Sequence, residues 1–277
     1  MRCAWKELLS ILPVWLATDV DKVGKETLQE IRLRKGFPAQ YIMGDGRREG
    51  KRMVTEEDLA FCVNTASRYS PWTMATAAKG YLTAHGGHRI GMCGEVVVKN
   101  GVVTGMKNLN SLCIRVARDF PGIGESAPQY GALLILGAPG WGKTTLLRDI
   151  IRCRSGTGCQ IGVVDERGEL FPAGFYTGRC TDVLTGCGKP EGIPMLLRTM
   201  GPQCIAVDEI TQEEDCLALA EAGGCGVELL ATAHASSIED LNRRAVYRIL
   251  LDKKLFDTAL VLRPDKSWRL ERIRACI

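Results

Sequence analysis

The sequence predicts an α/β protein whose C-terminal domain is built on a parallel sheet and is preceded by a smaller α+β domain. Three observations carry this. After about residue 130, short runs that are apolar throughout alternate with longer helical patterns, the rhythm of βα units whose crossover helices cover both faces of a sheet. Before about residue 120 the rhythm differs, with one capped helix and a hairpin signal. Between the two, residues 119–130 collect two prolines, two glycines and small polar side chains, as linkers do. The expected domains are 1–125 and 126–277.

At 277 residues the chain is long enough for two domains of ordinary size. Hydrophobic residues make up 45% and charged residues 25%, a balance that excludes a disordered or fibrous chain. No apolar run approaches the roughly 18 to 20 residues that cross a bilayer. Lys6, Glu7 and Pro13 interrupt the N-terminal apolar stretch and no small-residue cleavage site follows, so a cytoplasmic chain with no membrane insertion of its own is expected. The twelve cysteines form no Cys-x-x-Cys pair, and His85, His88 and His234 bracket no cysteine cluster. Buried thiols are expected in place of a zinc site. The net charge of +4 is uneven, with 18 basic and 13 acidic residues up to residue 125 and 18 and 19 beyond it. That excess reads as a solvated face that leaves room for an acidic partner.

In chain order, Thr55 is the cap of a helix expected to run to about Tyr69, with acidic residues in its first turn. Residues 89–98 and 102–106 flank Asn100-Gly101, a dipeptide suited to two-residue hairpin loops because both central positions require positive φ. Residues 111–117 alternate apolar and polar side chains like a third strand. Beyond the linker come a strand at 132–136 with a helix at 144–152, and a strand at 161–164. A strand at 205–207 with a helix at 213–222, and a strand at 227–231 with a helix at 238–251, complete the series.

Gly137, Ala138, Pro139, Gly140, Trp141, Gly142, Lys143 and Thr144 match the P-loop pattern at every fixed position, between a buried strand and a helix, and Thr145 follows. Glycines let backbone N–H groups turn inward around a phosphate, and the following helix adds the positive end of its dipole. Lys143 supplies charge to the β- and γ-phosphates and Thr144 a hydroxyl to Mg2+, so ATP and Mg2+ are the expected ligands. The Trp141 ring either stacks on a base or packs on the loop's exterior. Residues 204–207 are apolar and end in Asp208, expected to hold Mg2+, and Glu209, expected to polarise the attacking water. The strand at 161–164 intervenes between these motifs and ends in Asp165 and Glu166, which are expected to share in positioning water or metal. His234 ends another strand beside Thr232, on the sheet edge where ligands of open α/β sheets collect, and is a candidate γ-phosphate sensor.

Together, GAPGWGKTTLLRDIIR (137–152), IGVVDERGEL (161–170), TDVLTGCGKPEGIPMLLRTMGPQCIAVDEI (181–210) and ELLATAHASS (228–237) resemble the stage III sporulation protein AA family, over most of residues 85–265. That family is similar to the secretion and pilus-retraction ATPases, which implies a RecA-like P-loop ATPase domain behind the smaller one, a ring of six subunits, and ATP at subunit boundaries. On the resemblance, Gly137 to Thr145 is the Walker A loop, Asp165 and Glu166 the acidic box, Asp208 and Glu209 Walker B, and His234 the histidine box. Secretion ATPases generally have glycine where this chain has Asp208, and Glu209 ranks ahead of Glu166 as the residue that activates water. The ring implies arginines presented to a bound nucleotide, for which Arg89, Arg115 and Arg118 are candidates, with Arg179 behind them; a planar guanidinium suits phosphate oxygens. The resemblance further implies a role in endospore formation, powering or assembling a channel between mother cell and forespore. The chain would work from the mother-cell side by docking on membrane-embedded channel proteins.

Two other function classes remain open. A nucleic-acid-stimulated RecA-like ATPase has only the charge asymmetry in its favour, so nucleic acid is not the expected partner. A nucleotide-gated assembly switch with little turnover requires binding alone. A small-molecule kinase would need a lid segment, and none is evident after Glu209.

Overall fold

A computed structural model of the chain describes residues 1–67, 80–172 and 174–273. They divide into two compact units, Met1–Asp119 with Pro172–Phe175, and Phe120–Phe171 with Tyr176–Ile277. The division falls at Asp119/Phe120, upstream of the expected residue 125, and local packing gives the reason. The Gly124 N–H donates to the buried Asp149 carboxylate at 2.7 Å, and a Cβ on Gly124 would stand 2.7 Å from the Ile150 nitrogen. Ala127 lies in the second unit's core. The proline- and glycine-rich stretch is thus packed structure of the second unit.

The first unit runs α1 (Trp5–Ser10), α2 (Val14–Val23), β1 (Leu28–Arg34), β2 (Pro38–Met43), β3 (Gly46–Met53), α3 (Glu56–Ala66), β4 (Tyr81–Thr83), β5 (Arg89–Lys99) and β6 (Val102–Arg115). Its strands form an antiparallel sheet in the order β3-β2-β1-β6-β5-β4. Ile31, Leu33, Ile90, Leu112 and Ile114 pack from the sheet with Leu8, Leu16, Val20 and Leu59 from the helices. α3 starts on a capping box: the Thr55 hydroxyl accepts the Asp58 N–H and Asp58 accepts the Thr55 N–H. The other Asp58 oxygen accepts the Trp15 indole N–H at 2.8 Å, tying α2 to α3. α3 is described to Ala66, and the expected end at Tyr69 lies outside the described residues. Asn100 (φ 52°) and Gly101 (φ 76°) turn β5 into β6. The separate strand expected at 111–117 is the second half of β6.

The second unit runs β7 (Leu133–Leu136), α4 (Lys143–Gly156), β8 (Ile161–Asp165), β9 (Thr181–Thr185), α5 (Lys189–Thr199), β10 (Cys204–Ile210), α6 (Glu213–Gly224), β11 (Glu228–Ala233), α7 (Ile238–Arg243), α8 (Arg248–Asp252), β12 (Thr258–Leu262) and β13 (Trp268–Arg272). The sheet order is β13-β12-β7-β11-β10-β8-β9, parallel except for β13. Successive side chains of each central strand enter opposite cores, as a sheet covered on both faces requires. Leu133, Ile135, Val163 and Leu230 meet Leu146, Leu147, Ile150 and Ile151 of α4. Leu134, Leu136, Val207 and Ala231 meet Ile193, Leu219, Leu241 and Tyr247. The helix expected at 238–251 is broken: Arg244 takes an extended conformation (φ −93°, ψ 114°) and a 3-10 turn at Ala245–Tyr247 precedes α8. In space β11 separates β7 from β10, while β8 flanks β10 on its far side; the intervening strand is therefore the one ending in His234. Among the described residues no helix is long and apolar enough to cross a membrane.

Candidate functional site

The motifs converge because β7, β8, β10 and β11 are parallel and present their C-terminal ends on one edge of the sheet. From β7 the chain enters the loop 137–142. Gly140 (φ 80°) and Gly142 (φ 97°) are left-handed, and nothing lies within 4 Å of a Cβ at either position, so backbone conformation demands glycine there. α4 starts at Lys143, and its N-terminal N–H groups and dipole favour an anion at this loop. Lys143 is buried, 5% exposed, and its ammonium donates to the Ala138 carbonyl at 3.2 Å and to His234 Nδ1 at 3.1 Å.

At the end of β10, Val207 pairs with Ala231 and Ile210 with Ala233, so Asp208 and Glu209 together face Thr232. This bulge turns the two carboxylates apart. Glu209 adopts φ 48°, an uncommon region for a residue with a Cβ. Thr232 stabilises the turn: its hydroxyl accepts the Glu209 N–H at 2.8 Å and donates to Asp208 Oδ1 at 2.6 Å. The Thr144 hydroxyl donates to Asp208 Oδ2 at 2.7 Å. Tyr247 closes the bulge from below, accepting the His234 N–H at 3.2 Å and donating to the Ile210 carbonyl at 3.3 Å. His234 Nε2 lies 3.0 Å from Glu209 Oε1, and the Arg167 guanidinium 3.7 Å from Glu209 Oε2. Lys143, His234, Glu209 and Arg167 thus form a chain of polar contacts across the sheet edge.

Burial pushes the Asp208 carboxyl above the usual range, against the lowering effect of the Thr232 and Thr144 hydroxyls. Burial likewise holds Lys143 below its ordinary value, opposed by Asp208 and Glu209. Two oppositely charged groups have lost solvation at one place. A divalent cation beside Asp208 and Thr144, with phosphate against Lys143 and the loop N–H groups, supplies the counter-charges each lacks. Oxygen ligands of this kind suit Mg2+, which keeps much of its water and takes few protein ligands. The residues present therefore fit Mg-nucleotide.

The remaining candidates have other surroundings. Asp165 lines the same cavity as Asp208 and Glu209, but both its oxygens are taken up by its own loop: Oδ1 accepts the Glu169 N–H and Oδ2 the Leu170 and Phe171 N–H groups, at 2.9 to 3.0 Å. Trp141 packs against the α4 core. Arg118 is committed to the Lys25 and Leu28 carbonyls, and Arg179 donates to Gly156 O. Arg89 and Arg115 stand opposite each other on β5 and β6. Arg89 lies over the Tyr81 ring, and Arg115, 66% exposed, is 3.7 Å from Glu30. Glu166 reaches Lys189, 3.4 Å away. Arg167, Tyr247 and Lys189 escape a reading of the sequence because their roles arise from tertiary contact; only the proximity of Arg167 to the acidic strand end offers a signal. Among the buried thiols, Cys62, Cys204 and Cys216 are pushed up to about 12 by desolvation, which makes them inert.

The family described as Sporulation stage III, protein AA matches residues 7–273. The chain is 36% identical over 288 aligned residues to the stage III sporulation protein AA of Bacillus subtilis (strain 168), covering 94% of this chain and 92% of that one. It is 27% identical to the protein ycf45 of Cyanidium caldarium, over 60% of this chain and 54% of that one. Among solved structures, the Legionella pneumophila ATPase DotB superposes with a TM-score of 0.62 at 19% identity, over 90% of this chain and 76% of that one. The pilus retraction motor PilT with bound ADP also superposes at 0.62, with 14% identity over 94% and 82%. Both structures share the RecA-like fold found here behind a smaller N-terminal unit.

Proposed function

The chain belongs to the Sporulation stage III, protein AA family, and from that membership and the geometry of its site we propose that it is a Mg-dependent ATPase acting in endospore formation. The observation that carries the reading is the Thr144–Asp208 hydrogen bond at 2.7 Å beside a buried Lys143, which joins the P-loop to the acidic strand where a nucleotide needs both. The loop from Gly137 to Thr145 would hold the phosphates, and Thr144 and Asp208 the Mg2+. Bound there, Mg2+ would neutralise charge developing on the phosphates during phosphoryl transfer. Glu209 is the residue that takes the proton from the attacking water, oriented by His234, which also touches Lys143 and so can report on phosphate.

In a ring, Arg89 and Arg115 would be the arginines that each copy offers to its neighbour's nucleotide, a role that suits the planar guanidinium. By the resemblance to the secretion and pilus-retraction ATPases, the ring would be hexameric, and it would power or assemble a channel by docking on membrane-embedded proteins from the mother-cell cytoplasm. The test is steady-state ATP hydrolysis by the wild type, Lys143→Ala and Glu209→Gln across protein concentration, with and without single-stranded DNA. Turnover should vanish in both variants, nucleotide binding should survive in Glu209→Gln, and the specific rate should rise with concentration. Wild-type turnover in Glu209→Gln would overturn the assignment. Binding without turnover in the wild type would leave a nucleotide-gated switch, and stimulation by DNA would favour a nucleic-acid-dependent ATPase.

A further inference from the structure

Lys189, the first residue of α5, is a buried ammonium outside the P-loop, and its side chain is 5% exposed. A cation gains nothing at a helix N-terminus, where the dipole is positive, and a desolvated charge is costly unless paired. Its partners lie on two other elements. Nζ is 3.4 Å from Glu166 Oε2, just past β8, and 3.7 Å from Asp215 Oδ2 in α6. Asp215 is itself fixed, because Oδ2 accepts the Thr211 and Gln212 N–H groups at 3.0 and 3.3 Å in the turn after β10. Lys189, Glu166, Thr211 and Gln212 line a cavity of about 100 Å3 whose walls also carry Asp165, Asp208 and Glu209. Since β8 and β10 are neighbours, Lys189 bridges the ends of the two strands that bear the acids.

We propose that Lys189 is a positioning residue: it holds the Glu166 carboxylate at the wall of the Asp208–Glu209 cavity and, through Asp215, locks it to the turn that follows Glu209. The inference rests on the ATPase reading and deepens it, because it separates the two acids. Glu209 is engaged with His234 on the P-loop side, whereas Glu166 pairs with Lys189 of α5, which in turn reaches Asp215 of α6. A change in the position of Glu166 is then passed to the start of α6 through one buried cation.

The test is a double-mutant cycle on the full chain with Lys189→Met, Glu166→Gln and the double variant, together with Lys189→Arg. Readouts are kcat and KM for Mg-ATP, Kd for ADP, and melting temperature. Lys189→Met should lower kcat about tenfold, the order found for outer supports of a site, with Kd for ADP within about twofold. Lys189→Arg should recover most of the loss, and the double variant should be no slower than the slower single one. Effects that multiply, or a loss that Lys189→Arg does not relieve, would overturn the proposal. If the wild type hydrolyses no ATP, the ATPase reading fails on its own. The cycle is then read from Mg-dependent nucleotide binding by the same proteins, where non-additivity supports the Lys189–Glu166 link and additivity refutes it.

Discussion

Thr232 decides the shape of the site more than its modest side chain suggests. One hydroxyl satisfies both the N–H of Glu209, held at positive φ, and one oxygen of Asp208. Thr232→Val keeps the volume but leaves a buried donor and a carboxylate oxygen unpaired, each costing about 1–3 kcal/mol. The second unit should lose stability of that order in urea unfolding, and Mg-ATP turnover should fall further than ADP affinity. An equally stable and active variant would show that the Glu209 turn is held by other contacts. The residues legible in the sequence are those in consecutive motifs, from Gly137 to Thr144 and at Asp208 and Glu209, since spacing along the chain is itself the signal. Tyr247 and Lys189 act through side chains that meet their partners only after folding. Asp165 is ambiguous for the converse reason: an acid at a strand end looks the same in sequence whether or not its oxygens are taken up by its own loop, as they are here.

Elements are legible where local pattern and tertiary role agree, as in β7, α4, β8, β10, α6 and β11. β1 escapes because a register shift between Leu28 and Glu30 breaks its alternation, and β3 because its residues are almost all exposed. α5 contains Gly192 and Pro194, which read as helix breakers. Gly192 is there for close packing, since a Cβ would stand 2.8 Å from Val164 Cγ1. The helix expected at 238–251 is interrupted by a turn that carries Tyr247 to the ends of β10 and β11. The stretch that reads as a linker holds an analogous glycine. Gly124→Ala would drive a methyl into the backbone of α4 and should cost about 1–3 kcal/mol, as overpacking does. Urea unfolding of the second unit checks this, and wild-type stability would mean that the 120–127 segment moves off α4 at little cost.

As a whole molecule, the chain carries two units in which buried ionisable groups respond to acid with opposite sign. In the first unit His88 is fully buried; Nε2–H donates to the Ala4 carbonyl at 2.8 Å and Nδ1 accepts the Ala117 N–H at 3.1 Å, a pair of roles open only to the neutral ring. Burial holds its pKa below the ordinary 6.5, against the opposing pull of the Ala4 carbonyl and Glu7. Below about pH 6.5 the unfolded chain therefore takes up a proton that the folded one resists, and stability falls until the pH passes the depressed folded value. In the second unit, burial raises the Asp208 and Asp165 carboxyls above 3.8; that cost is fully present at neutral pH and lessens as the pH drops through the raised values. Acidification from pH 7 to 5.5 should weaken the first unit, whereas the two carboxyls favour the second only once the pH falls through their raised values. Hydrogen exchange, corrected for intrinsic rates and read on α1 and β5 against α4 and β10, separates the responses. His88→Gln should lower the first unit's protection at pH 7 and flatten its pH dependence. Protection of α1 and β5 in the wild type that is unchanged at pH 5.5 would show that the buried imidazole does not govern the stability of this unit.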